Sequence, residues 1–355
     1  MALQDLQQEC RRRAAKKLAA TLQFPDFRFP TRLSAEQSTS DDLAELHAAM
    51  IPEGQRIVDL TCGLGIDAFH LARKSARVTA IDLDPTVSAA VEPNAKALGI
   101  SNVTAVNDDC ARWLKNASAG SYDICFIDPA RRGEDGRRLF SLHDCRPDVT
   151  ALLPEIFRVA GRLIVKMSPM LDIDAIIREL PGTQRVYILG TQGECKEIVA
   201  DVRADFTGEP EIIVQTIGQP DFRFIRGELT LAETFGGEIQ PGDTIGEPWP
   251  TMMKANPRAA LSGRKLHPET HLWLNPDPDF PGKLYKVERI EEFSSGNIKR
   301  LARQGLEASV AVKNLPITAS ELSKRLKVKE SATSRLIGCT ISPSRRLLLF
   351  LSPLC

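Results

Sequence analysis

The 355-residue chain carries no excess of charge of either sign, no apolar run approaching the length of a bilayer span, and no closely spaced cysteines. Lys and Arg number 46 against 46 Asp and Glu, so bulk charge argues for no polyanionic partner and any basic surface has to be local. The eight cysteines stand far apart, at positions 10, 62, 110, 125, 145, 195, 339 and 355. They form no Cys-x-x-Cys pair and no zinc-ligand spacing, which leaves reduced thiols and no metal. No stretch nears the roughly eighteen apolar residues that cross a bilayer, and the first residues lack an apolar signal core. These absences lead to the expectation of a soluble, cytoplasmic protein with no membrane partner, long enough for two domains.

A third glycine is also missing, and its absence is informative. Ile57-Val58-Asp59-Leu60 is an apolar strand that breaks into Thr61-Cys62-Gly63-Leu64-Gly65 and then reads as a helix through Phe69. The two glycines permit a sharp turn with room for a ligand. A second strand, Arg77 to Ile81, ends in Asp82, the spacing at which a carboxylate accepts both hydroxyls of a ribose. This is the pattern of a nucleoside-binding βαβ unit. Dinucleotide folds favour a further glycine where this chain has Ala68. The run Asp59 to Gly65 instead resembles the first motif of class I methyltransferases, which implies S-adenosyl-L-methionine as cofactor.

In a doubly wound sheet ligands sit at the carboxyl ends of the strands. The third strand, Asn102 to Asn107, ends at Asp108-Asp109-Cys110. Asp109 is the choice to accept from an adenine amine, with the following amide of Cys110 meeting a ring nitrogen; the alternative is that the acidic pair caps the next helix. The fourth strand, Tyr122 to Ile127, runs into Asp128-Pro129-Ala130-Arg131-Arg132. There Asp128 would hold an acceptor or the cofactor's amino group, and Arg131 and Arg132 would grip phosphate or carboxylate. A fifth strand ends at Lys166-Met167-Ser168. A lysine in that place is costly unless it reaches a carboxylate or the mouth of the site. Strands over 185–189, 195–202 and 211–217 complete a seven-stranded sheet with an antiparallel edge.

The termini have a different texture. Residues 1–23 read as a basic helix ending before Pro25, Phe24 to Thr31 as an extended strap, and Leu33 to Ser40 as a loop leading into a helix over 41–50 that could close over the cofactor. From Asp221 the segments are short and strand-like. Between Lys283 and Arg346 fourteen Lys or Arg face six Asp or Glu. Such a surplus suits a polyanion, or is an ordinary solvated face.

Together these blocks resemble a bacterial family of class I methyltransferases with a C-terminal THUMP-like domain. The resemblance is carried by Phe29-Pro30-Thr31, Leu33 to Gln37, the glycine loop, Asp128 to Arg132, Val165 to Ile173, Glu194 to Glu197 and Val312 to Pro316. It implies an α/β chain in three parts: an N-terminal helical and strap segment over 1–50, a Rossmann-like methyltransferase domain over 51–219, and an α+β THUMP-like domain over 220–355. It further implies an RNA-directed role, on tRNA or rRNA. On this reading the cofactor lies against Asp59, Thr61, Gly63, Gly65, Asp82, Leu83, Asp109, Cys110 and Asp128. Asp128, Pro129 and Arg131 carry the chemistry, and Arg131, Arg132, Lys166 and Ser168 meet the substrate. The turn after the fourth strand also resembles that of enzymes methylating uridine at ring carbon five, but Lys166 to Pro169 offers no thiol where those enzymes keep one, so direct in-line transfer is expected unless Cys145 or Cys195 folds into the site. The alternatives are a methyltransferase of proteins or small molecules, and a cofactor-binding nucleic-acid-binding protein without turnover.

Overall fold

The computed structural model describes residues 3–130, 142–228, 232–256 and 261–354. Arg131 and Arg132 lie outside the described residues. The chain divides into two units, Met1–Gly190 with Lys196–Ile213, and Thr191–Cys195 with Val214–Cys355.

The first unit opens with α1 (Leu3–Ala14), α2 (Arg32–Gln37) and α3 (Asp41–Ala49). The opening helix is therefore shorter than predicted, and the expected loop after Leu33 is helical. Both differences have local causes. The Asp41 carboxylate accepts from the amides of Ala20 and Thr21 and from the Thr21 hydroxyl, at 2.8, 3.0 and 2.5 Å, which pins a separate turn there. Thr31 and Ser34 cap α2 reciprocally.

The sheet is built from β1 (Arg56–Asp59), α4 (Ile66–Ala72), β2 (Arg77–Asp82), α5 (Pro85–Ala97), β3 (Val103–Asn107), α6 (Cys110–Asn116), β4 (Tyr122–Ile127), α7 (Val149–Val159), β5 (Ala160–Met167), α8 (Ile173–Glu179), β6 (Thr183–Gly190), β7 (Cys195–Arg203) and β8 (Glu211–Thr216). The sheet has nine strands where seven were expected, in the order β3-β2-β1-β4-β5-β7-β6-β8-β9, with β9 (Phe222–Ile225) at its edge. The pairings from β3 to β5 are parallel, and β7 runs antiparallel to β5. Ile57, Val58, Ile124, Phe126, Leu163 and Val165 are buried because helices cover both faces of the parallel strands. Each such side chain contributes on the order of 1.5–3 kcal/mol. The chain winds outward from β1 to β3 and then returns to β4. That reversal opens a crevice at the carboxyl ends of β1 and β4.

The second unit contains β9 (Phe222–Ile225), β10 (Thr244–Pro248), α9 (Pro250–Ala255), β11 (Arg264–His267), β12 (Thr270–Leu274), β13 (Gly282–Glu292), α10 (Ser295–Leu301), β14 (Ser309–Lys313), α11 (Ala319–Leu326), β15 (Arg335–Ile341) and β16 (Arg345–Pro353). A seven-stranded sheet runs β11-β12-β10-β13-β16-β15-β14, with β14 and β15 parallel. The run Leu347 to Leu351 shows why it holds together. Leu347, Leu349 and Leu351 pack with Ile245, Val287 and Ile337, while Leu348 turns the other way onto Leu301, Leu322 and Leu326. Among the described residues of the whole chain, no helix is long and apolar enough to cross a membrane.

Candidate active site

The glycine loop is set by two positive φ angles, +52° at Gly63 and +88° at Gly65, where L side chains are strained. The two glycines do different work. A Cβ on Gly65 would sit 2.6 Å from the Phe69 ring, so that glycine lets α4 close on its own first turn. A Cβ on Gly63 would meet nothing within 4 Å. The open side of the loop is therefore at Gly63.

The Asp82 carboxylate stands across from it. One oxygen accepts the Gly63 amide at 2.9 Å and the other the Asp84 amide at 2.9 Å. A carboxylate offers about four lone-pair sites, so the two amides fix its plane and leave capacity for a diol. Burial raises the Asp82 pKa. Beside it Leu83 is 70% exposed, an apolar face next to the Asp82 carboxylate. This cradle fits an adenosine. The Asp109 carboxylate accepts the Arg112 amide at 2.9 Å as the cap of α6, with its other oxygen still able to accept. Asp108 is ion-paired with the Arg112 guanidinium.

Asp128 closes the end of β4, and its amide donates to the Thr61 hydroxyl at 2.8 Å, so the first loop holds the second. Pro129 is buried behind it. Lys166, on β5, is 2% exposed and donates to three groups: Asp128 at 2.8 Å, Asp67 at 2.9 Å and the Thr39 hydroxyl at 2.7 Å. An ammonium has three protons, and all are taken, so Lys166 anchors Asp128 and does not itself reach a substrate. The Ser168 hydroxyl accepts the Met170 amide at 3.2 Å, which leaves its own proton to donate.

The line of charge continues inward. Asp67, in the first turn of α4, takes His47 Nδ1 at 2.7 Å, and His47 Nε2 meets Glu197 at 2.5 Å. Glu197, His47, Asp67, Lys166 and Asp128 thus alternate in sign across α3, α4 and strands β4, β5 and β7. A neutral imidazole can donate only once, whereas two carboxylates need two donors; His47 is therefore the imidazolium. Burial alone would lower its pKa, but Glu197 and Asp67 raise it to about 9. Burial likewise opposes ionisation of Asp67, yet Lys166 and His47 hold it well below the usual carboxylate range. Asp59 goes the other way. It is buried and lies near Asp67, so it is pushed well above that range.

A pH dependence follows. Because the folded His47 pKa lies above histidine's ordinary 6.5, its contribution to stability is complete below 6.5 and is lost as pH rises through about 9. Urea unfolding should show stability falling across that interval by up to about 1.4 kcal/mol per pH unit, and His47→Gln should remove that slope. An equal slope in both proteins would contradict the assignment.

Thr39, His47, Asp67 and Glu197 were not among the predicted site residues. The one signal in the sequence was Lys166 itself, whose burial demanded partners that spacing could not name.

Residues 57–160 match the family model described as a methyltransferase domain, and residues 282–353 the model described as THUMP domain-like. Over 192 residues the chain is 31% identical to an uncharacterized S-adenosylmethionine-dependent methyltransferase of Mycobacterium tuberculosis H37Rv, covering 53% of this chain and 48% of that protein. The chain thus spans about half the length of the curated relatives it first matches. A shorter stretch of 105 residues is 31% identical to the 23S rRNA (uracil(1939)-C(5))-methyltransferase RlmD of Shewanella sp. MR-4, covering 25% of this chain and 22% of that protein. A crystal structure from Porphyromonas gingivalis W83, provisionally described as a methyltransferase, superposes with a TM-score of 0.89 at 27% identity, covering 98% of this chain and 89% of that one.

Proposed function

We infer that this chain, a class I methyltransferase fold joined to a THUMP-like domain, transfers a methyl group from S-adenosyl-L-methionine to RNA. The observation that carries the reading is the Asp82 carboxylate, held by two backbone amides with capacity to spare beside the exposed Leu83. Asp82 and Leu83 would hold the nucleoside and the Gly63 loop the amino acid end; the cofactor supplies an electrophilic methyl on sulfonium. Asp128 orients the acceptor, and Lys166 and Thr61 keep Asp128 in place. Alignment of acceptor, methyl and sulfur supplies much of the acceleration in such a displacement.

The thiols of the glycine loop, of β4 and of α6 argue for direct transfer. Burial pushes Cys62 and Cys125 far up and Cys110 to about 11, so none of the three supplies a thiolate at neutral pH. The RNA target draws on the THUMP-like match, the RlmD similarity and the basic surplus. Part of that surplus is consumed internally: Glu247 takes Lys313 and Arg335, and Glu291 takes Arg289 and Arg300. Lys299, Arg303, Lys327 and Arg346 have no carboxylate partner within 4 Å among the described residues and are left for phosphate.

Two measurements test this reading. Asp82→Ala should weaken S-adenosylhomocysteine binding by about 1–3 kcal/mol in calorimetry, the cost of leaving hydroxyls without a buried partner. Radiolabel from the methyl donor should enter total RNA of a strain lacking the gene. Cofactor binding without incorporation would favour a protein that keeps the pocket and has lost turnover.

A further inference from the structure

The second unit holds a cavity of its own, at the turn end of its sheet. It has a volume of about 500 Å³ and is lined by His267, Asn314, Leu315, Pro316, Thr340, Ser344 and Arg346. That falls within the roughly 300–1,000 Å³ of small-molecule sites.

Its walls are held from below. Leu315 is seated on β15, where a Cβ on Gly338 would come within 2.9 Å of it. Asn314, at φ +55°, occupies the left-handed region, and its carbonyl accepts the Thr340 hydroxyl. The Thr340 carbonyl in turn accepts the hydroxyl of the fully buried Thr270, and the Ser342 amide donates to Leu266. Three turns are thus tied into one rim.

The groups left over are donors. His267 Nδ1 accepts the Glu269 amide at 3.1 Å and lies 3.2 Å from the Asn314 side-chain nitrogen. A backbone amide can only donate, so the neutral ring carries its proton on Nε2, which has no partner among the described residues. The Ser344 hydroxyl and the Arg346 guanidinium also lack protein partners there, and no carboxylate lines the cavity. The other nearby cations are committed, Lys313 to Glu247 and Arg345 to Glu292. A rigid rim with an arginine, a hydroxyl and an imidazole N–H suits a tetrahedral anion, and Leu315 and Pro316 add an apolar edge.

We propose that this cavity binds a phosphoryl group, with Arg346, Ser344 and His267 as donors. The source is a backbone phosphate of RNA, which rests on the function inferred above, or the phosphate of a free nucleotide. The experiment uses the full-length protein and its Arg346→Ala and Ser344→Ala variants, both at exposed positions. The probes are a short fluorescein-labelled oligouridylate, UMP and inorganic phosphate. Arg346→Ala should weaken oligouridylate binding about tenfold and reduce the slope of log affinity against log salt by about 0.7, one phosphate contact on a single strand. Ser344→Ala should weaken binding less and leave the slope unchanged.

If UMP and phosphate bind through Arg346 while oligouridylate is indifferent to it, the phosphoryl site stands and RNA is not its source. If none of the probes depends on Arg346, the proposal is overturned. Methyl transfer to total RNA is scored separately. Its absence beside Arg346-dependent binding would count against the enzyme reading and not against this site.

Discussion

Replacing Lys166 by methionine should lower the unfolding free energy by about 3–5 kcal/mol, the range for breaking a buried ion pair from one side. Methionine fills nearly the same space, so the loss is electrostatic and not a cavity. Asp67 and Asp128, which now flank one ammonium at 2.9 and 2.8 Å, would face each other with no cation between them. Asp67 would keep His47 and the Thr39 hydroxyl, so the uncompensated charge falls mainly on Asp128. Adding Asp128→Asn to the methionine variant should restore part of the loss, because removing both partners is cheaper than removing one. Urea denaturation of the two variants measures this. A cost below about 1 kcal/mol for Lys166→Met, the scale of exposed pairs, would mean that the network is not buried as described.

On the proposed function, Asp128→Ala should slow methyl transfer to RNA by about a hundredfold or more, within the range for positioned acid–base groups, while the protein stays folded. Lys166 would still donate to Asp67 and Thr39, so the ammonium is not stranded. Asp128 is also the more exposed end of the line, its side chain 30% accessible against 2% for Lys166. The diagnostic is the split between constants. A residue that orients the acceptor lowers kcat, whereas one that only braces the cofactor loop raises the apparent KM for the methyl donor. Asp128→Asn keeps the shape without the charge and should fall between the two. An alanine variant within about fivefold of wild type would remove Asp128 from the chemistry.

The legible part of this molecule was local. Capping residues, apolar runs and the glycine turn act over a few positions, so strands β1 to β8 and the loop at Gly63 could be placed from sequence. Asp82 was legible because one helical crossover fixes its distance from the loop. The first helices were misjudged because Asp41, twenty residues away, pins the Thr21 turn. The two loop glycines could not be told apart, since only the folded chain shows that the Phe69 ring lies over Gly65. Asp109 had two open readings, and in the structure its carboxylate caps α6.

The chain alone therefore determined the succession of strands in the first unit, the acid that ends β2 and the turn that carries Asp128. Tertiary structure alone decided what surrounds Asp128. His47 and Glu197 are 150 positions apart and meet at 2.5 Å, and Lys166 finds Asp67 across 99 positions. Such pairings are fixed by which strand ends the parallel sheet brings together, and by the need of each buried charge for an opposite one. Neither condition leaves a spacing that can be read along the chain.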